Sequence, residues 1–127
     1  MTSNTAQKGV RALVVDDNRD AADSLVALLR ALGIEAQRAF DGGTAMLLAA
    51  QLKPEVVFLD LVMPRMDGFE VLAAMREIRG MESTPFFAVT GTNDDKTKAH
   101  VQTAGFAGHM LKPVTLAVLS AALESIR

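Results

Sequence analysis

The 127-residue sequence contains no cysteine. Disulfides and thiolate metal sites are excluded, and the lack of thiols fits a reducing compartment. The N-terminus has no apolar stretch: Met1-Thr2-Ser3-Asn4-Thr5-Ala6-Gln7-Lys8-Gly9 is polar and does not read as a secretory signal. No apolar run approaches the roughly 20 residues needed to span a bilayer. Charge of one sign is also lacking. The 13 basic and 15 acidic residues are interleaved and give a net charge of -2, with no basic stripe of the kind that follows a nucleic-acid backbone. Repeats, low-complexity tracts and internal linkers are absent. What is present is a chain that is half apolar, enough for a core of normal size at this length. The expectation is one cytoplasmic globular domain over residues 10–127, after a short disordered lead at residues 1–9.

Short apolar runs alternate with longer helical patterns. Val10-Arg11-Ala12-Leu13-Val14-Val15 reads as a buried strand ending in Asp16-Asp17. Asn18 can cap a following helix in which Ala21, Leu25, Leu28 and Leu32 recur at helical spacing, and Gly33 stops it. Residues 34–40 form a mixed run suited to an edge strand, broken by Asp41-Gly42-Gly43. A helix is expected over 44–52, stopped by Pro54, and then a second strongly apolar strand at 55–60. Met63-Pro64-Arg65-Met66-Asp67-Gly68 is a loop by its Pro and Gly. Phe69, Leu72, Ala73 and Met75 open another helix, and 85–90 is a third apolar strand. Residues 93–104 form the weakest helix, with much charge. A short strand at 106–111 precedes a helix capped by Thr115, with Leu116, Leu119, Leu123 and Ile126 on one face. Five βα units imply an α/β fold, a doubly wound parallel five-stranded sheet with helices on both faces.

Polar residues stand at the ends of those strands: Asp16-Asp17, Asp60, Thr90 and Lys112. In a parallel sheet these ends share one edge, where open α/β sheets bind ligands. In the flavodoxin-like order 2-1-3-4-5 the switch point lies between strands one and three, which carry the three carboxylates. Clustered carboxylates repel and raise a pKa unless a cation binds, and oxygen donors without His or Cys suit Mg²⁺. Asp60 can act as a nucleophile toward phosphorus. Lys112 offers a point charge and Thr90 a hydroxyl to phosphoryl oxygens. Each residue alone also has a structural role open to it: helix capping for the acidic pair, a turn for Asp60, a solvated strand end for Thr90 and Lys112.

The ordered set Val14-Val15-Asp16-Asp17-Asn18, Leu59-Asp60-Leu61-Val62-Met63-Pro64-Arg65-Met66-Asp67-Gly68, Val89-Thr90-Gly91 and Leu111-Lys112-Pro113 resembles the response-regulator receiver family of two-component signalling. The resemblance runs from about Val10 to the C-terminus. It implies that Asp60 is the phosphoacceptor, and that Asp17, Asp60 and the Val62 backbone carbonyl hold Mg²⁺, with Asp16 acting through water. It implies that Thr90 and Lys112 grip the phosphoryl group, and that the Lys112-Pro113 peptide is cis. The donor would be a histidine kinase or a histidine phosphotransfer protein. The receiver would catalyse transfer onto its own Asp, and its hydrolysis, without being a conventional multiple-turnover enzyme. Added charge would then alter the face formed by the helix at 93–104, the last strand and the final helix, and so change the binding of a downstream protein or fused domain. No direct nucleic-acid binding and no membrane insertion are expected.

One departure concerns the switch. The family commonly places Tyr or Phe three residues before the Lys, where this sequence has His109. His100 reads as a solvated surface residue. Val62 and Thr92 carry no acid or amide to position water against a phosphoaspartate. Two other functions stay open at this point: a receiver-fold binding module that works without phosphate, and a metal-dependent phosphatase or phosphotransferase acting on a small molecule. The second lacks the Asp-x-Asp acid, because Leu61-Val62 follows Asp60.

Overall fold

The computed structural model describes residues 11–63 and 67–126. The expected lead at 1–9, Val10 at the start of the first strand, and Pro64, Arg65 and Met66 of the expected loop lie outside the described residues. Strands β1 (Arg11–Val15), β2 (Glu35–Ala39), β3 (Val56–Asp60), β4 (Phe86–Thr90) and β5 (Gly108–Leu111) alternate with helices α1 (Arg19–Ala31), α2 (Gly42–Leu52), α3 (Gly68–Arg76), α4 (Asp95–Ala104) and α5 (Leu116–Ser125). The strands form one sheet in the order β2-β1-β3-β4-β5, and every neighbouring pair is parallel.

Strand pleating divides the core in two, because successive side chains face opposite sides. Leu13, Val15, Val57, Leu59, Phe86 and Ala88 pack with α2, α3 and α4. Ala12, Val14, Val56, Phe58, Phe87 and Val89 pack with α1 and α5. β3 and β4 are buried along their whole length, as continuous apolar strands between two helical layers should be.

Each described helix starts on a side-chain cap. Asn18, Asp41, Asp67, Asp94 and Thr115 accept from the amide of Ala21, Thr44, Glu70, Thr97 and Val118 respectively. These contacts satisfy amides that have no partner within the helix. Asp67 and Glu70 complete a reciprocal capping box.

Several details differ from the sequence expectation. The buried seam of α1 is Ala22, Leu25, Val26 and Leu29, one residue round from the expected Ala21-Leu25-Leu28-Leu32, and Leu32 is exposed at the C-cap. Both rows contain Leu25, and 3.6-residue periodicity alone does not choose between them. α2 begins at Gly42, because Asp41 caps it and the two glycines are taken into its first turn. Ala73 is exposed on α3. On α5 only Leu119 and Leu123 of the expected four are buried; Leu116 and Ile126 face outward.

Candidate functional site

Strand register sets the geometry of the C-terminal edge. Val15 of β1 is level with Leu59 of β3, so the next residues, Asp16 and Asp60, emerge side by side. Asp60 pairs with Val89 of β4, and Thr90 pairs with Leu111 of β5, which places Lys112 immediately beyond. All four lie at the switch between β1 and β3 or next to it.

Asp16, Asp60 and Thr90 are buried and Asp17 is exposed. One carboxylate oxygen from each of Asp16, Asp17 and Asp60 lies within 4.8 Å of the others. Lys112 Nζ lies 2.9 Å from Asp16 Oδ2 and 3.6 Å from Asp60 Oδ1. Two backbone amides orient the buried acids: Asn18 N–H donates to Asp16 Oδ1 at 2.9 Å, and Val62 N–H to Asp60 Oδ1 at 3.2 Å. The Val62 side chain is 77% exposed. Thr90 Oγ1 is turned to its own loop, where it accepts from Thr92 N–H at 3.2 Å. The Lys112-Pro113 peptide is cis. A cleft of about 430 Å³ opens beside the site, bounded by Asp16, Asn18, Ser24, Lys112 and Pro113.

The electrostatics follow from this crowding. Burial raises the Asp60 carboxyl from the ordinary 3.8 to about 6, helped by the Asp16 charge and opposed by the Val62 amide and Lys112. Burial alone would lower the Lys112 ammonium. Its hydrogen bond to Asp16 and the charges of Asp60 and Asp16 outweigh that and hold it above its ordinary value. An acid pocket with three oxygen donors and one strained protonation equilibrium fits a hard divalent cation, which would relieve the repulsion that raises Asp60.

His109 is half-buried on β5, and its Nε2 lies 3.3 Å from Asn93 Oδ1 in the loop before α4. Asn93 is expected from the sequence at the start of the helix at 93–104, with no site role; the helix starts instead at Asp95 on its Asp94 cap, which leaves Asn93 in the loop. His100 is exposed as expected, yet its ring stacks on Phe69 of α3 with centroids 3.8 Å apart and planes 9° from parallel. Gly68 packs directly on the strand that carries Asp60. A Cβ there would meet Asp60 O at 2.5 Å and Leu61 Cα at 2.8 Å.

Comparison with known proteins converges on one family. The profile of the response regulator receiver domain matches residues 12–124. Protein PilG of Pseudomonas aeruginosa is 26% identical over 92% of this chain and 87% of its own length. The transcriptional regulatory protein PrrA of Mycobacterium tuberculosis is 32% identical over 97% of this chain, which spans only 52% of that relative. Among solved structures, the chemotaxis protein CheY4 of Vibrio cholerae superposes with a TM-score of 0.87 at 27% identity, covering 93% of this chain and 98% of its own.

Proposed function

The chain belongs to the response-regulator receiver family, and on that premise we propose that it is a phosphoacceptor switch in which Asp60 takes a phosphoryl group. The observation that carries this reading is the meeting of Asp16, Asp17 and Asp60 with Lys112 at one sheet edge. The pocket has kept every acid, the hydroxyl and the cation, which argues against a phosphate-independent binding module.

In this reading the ionised Asp60 carboxylate attacks phosphorus. A bond forms between Asp60 Oδ and P as the P–N bond of a phosphohistidine donor breaks, and the departing imidazole keeps the electron pair and takes up a proton. Asp17, Asp60 and the Val62 carbonyl would hold Mg²⁺, with Asp16 acting through water. The cation would supply charge neutralisation among the carboxylates and the incoming phosphoryl oxygens. Lys112, now shared between Asp16 and Asp60, would swing its ammonium across to pair with a phosphoryl oxygen. Thr90 would release the Thr92 amide and donate its hydroxyl to the same group. These two movements pull on the β4–α4 loop and on β5. α4, which buries only Val101, is the least firmly packed of the five helices and is suited to move with them.

The phosphodonor would be a histidine kinase or a histidine phosphotransfer protein, and the outward signal would pass through α4, β5 and α5 to a downstream protein or a fused domain. No described helix is long and apolar enough to cross a membrane. Beryllofluoride imitates a bound phosphoryl group and tests the pocket directly. Amide NMR spectra recorded with Mg²⁺ and beryllofluoride should shift at Asp60, Thr90 and Lys112. Spectra that do not change, or that change equally in Asp60→Ala, refute the assignment.

A further inference from the structure

The loop between β4 and α4 must rearrange if the Thr90 hydroxyl is to leave the Thr92 amide for a phosphoryl group. At present it is held by a chain of short contacts. Thr92 N–H donates to Thr90 Oγ1 at 3.2 Å, and the Thr92 hydroxyl donates to Asp94 Oδ2 at 2.8 Å. Asp94 in turn accepts from Thr97 N–H at 2.7 Å and caps α4. At the other end the backbone is pinned to β5, because Lys112 N–H donates to Thr90 O at 2.8 Å. Movement must therefore be absorbed between Thr90 and Asp94. Asn93 sits in that interval, and its Oδ1 contacts His109 Nε2 at 3.3 Å. Among the described residues this is the one side-chain hydrogen bond that joins the loop to β5.

We infer that Asn93 is a positioning residue: by latching onto His109 it holds the loop in the arrangement where Thr90 Oγ1 accepts from the Thr92 amide, and so sets how readily the site accepts a phosphoryl group. This rests on the reading of Asp60 as phosphoacceptor. A contact made in one of two states biases the equilibrium toward that state by its own strength. One neutral hydrogen bond at a partly solvated position corresponds to a shift of about two- to tenfold.

The chemistry of the pair constrains it further. Asn93 Oδ1 can only accept, so His109 must donate from Nε2. The neutral imidazole is held in the Nε2–H tautomer, and His109 works here as a fixed donor.

The test is a beryllofluoride titration in saturating Mg²⁺, followed by amide NMR, for the wild type, Asn93→Ala, His109→Ala and the double variant. Asn93 is exposed, so its substitution leaves the core intact. Each single change should tighten beryllofluoride binding about two- to tenfold. The double variant should bind no tighter than the tighter single one, because both remove the same contact. Asn93→Asp keeps the acceptor and should stay near wild type. The ¹⁵N spectrum of the His109 ring should show the Nε2–H tautomer in the wild type and a mixture in Asn93→Ala. Asn93→Ala binding equal to or weaker than wild type, or additive single effects, overturns the latch. A wild type that gives no Mg²⁺-dependent response overturns the phosphoacceptor reading, and this inference with it.

Discussion

At the scale of single residues, Asp60 carries a conflict between folding and function. Its folded pKa, about 6, lies above the ordinary 3.8. The native state therefore holds its proton more tightly than the unfolded chain does. The contribution to stability is fully present below about 3.8 and is lost as pH rises through about 6. In metal-free protein at pH 7 the ionised Asp60 thus destabilises the fold, by about 1–3 kcal/mol. Asp60→Asn removes the charge and keeps the shape. Denaturation without Mg²⁺ should show the variant close to wild type at pH 4 and more stable by that amount at pH 7. Parallel stability profiles across this range would contradict the account. For the same reason Mg²⁺ should bind progressively less well below pH 6, where it competes with the Asp60 proton. Aspartates at strand ends are visible in the sequence. The degree of their coupling is not, because it depends on the register that sets Asp16 beside Asp60 and on a lysine from about 50 positions further along the chain.

At the scale of elements, the strands and the site-bearing loops were readable because β-branched and apolar runs end abruptly in polar residues. Helix starts were less so. Asn18 and Thr115 read as caps, whereas Asp41 and Asp67 sit among glycines that read as breaks, though both cap helices. Gly68 illustrates what this hides. It opens α3 against the backbone of Asp60 and Leu61, with no space for a methyl group. Gly68→Ala should cost about 1–3 kcal/mol of stability and weaken beryllofluoride binding, because either α3 or the Asp60 backbone must shift. An unaltered midpoint in denaturant would show that the contact relaxes freely. α4 is the other informative element. With Val101 its one buried residue, the His100–Phe69 stack is a large part of what seats it. A stacked ring pair is worth about 0.5–1.5 kcal/mol. His100→Ala should accordingly speed amide exchange in α4 by several-fold and leave β3 and β4 unaffected. Unchanged α4 exchange would remove the stack from the account. Reading His100 as solvated followed from the polar character of its own helix, and Phe69, 31 positions away, lies beyond any local pattern.

At the scale of the whole molecule, the alternation of five strands and five helices was legible from period and punctuation, and the sheet has the expected order. That order is what turns scattered residues into a site. It brings the ends of β1 and β3 together and lets β4 and β5 add Thr90 and Lys112 from one side. The loop contacts Thr90 to Thr92 and Asn93 to His109 depend on local backbone geometry and left no trace in the sequence pattern. The central claim is that this edge carries a single phosphoryl group on Asp60. It is tested most directly by intact mass spectrometry after incubation with acetyl phosphate. The wild type with Mg²⁺ should gain the mass of one phosphoryl group, the metal-chelated protein should gain little, and Asp60→Ala should gain none. A gain that persists in Asp60→Ala, or no gain in the wild type with Mg²⁺, would contradict it.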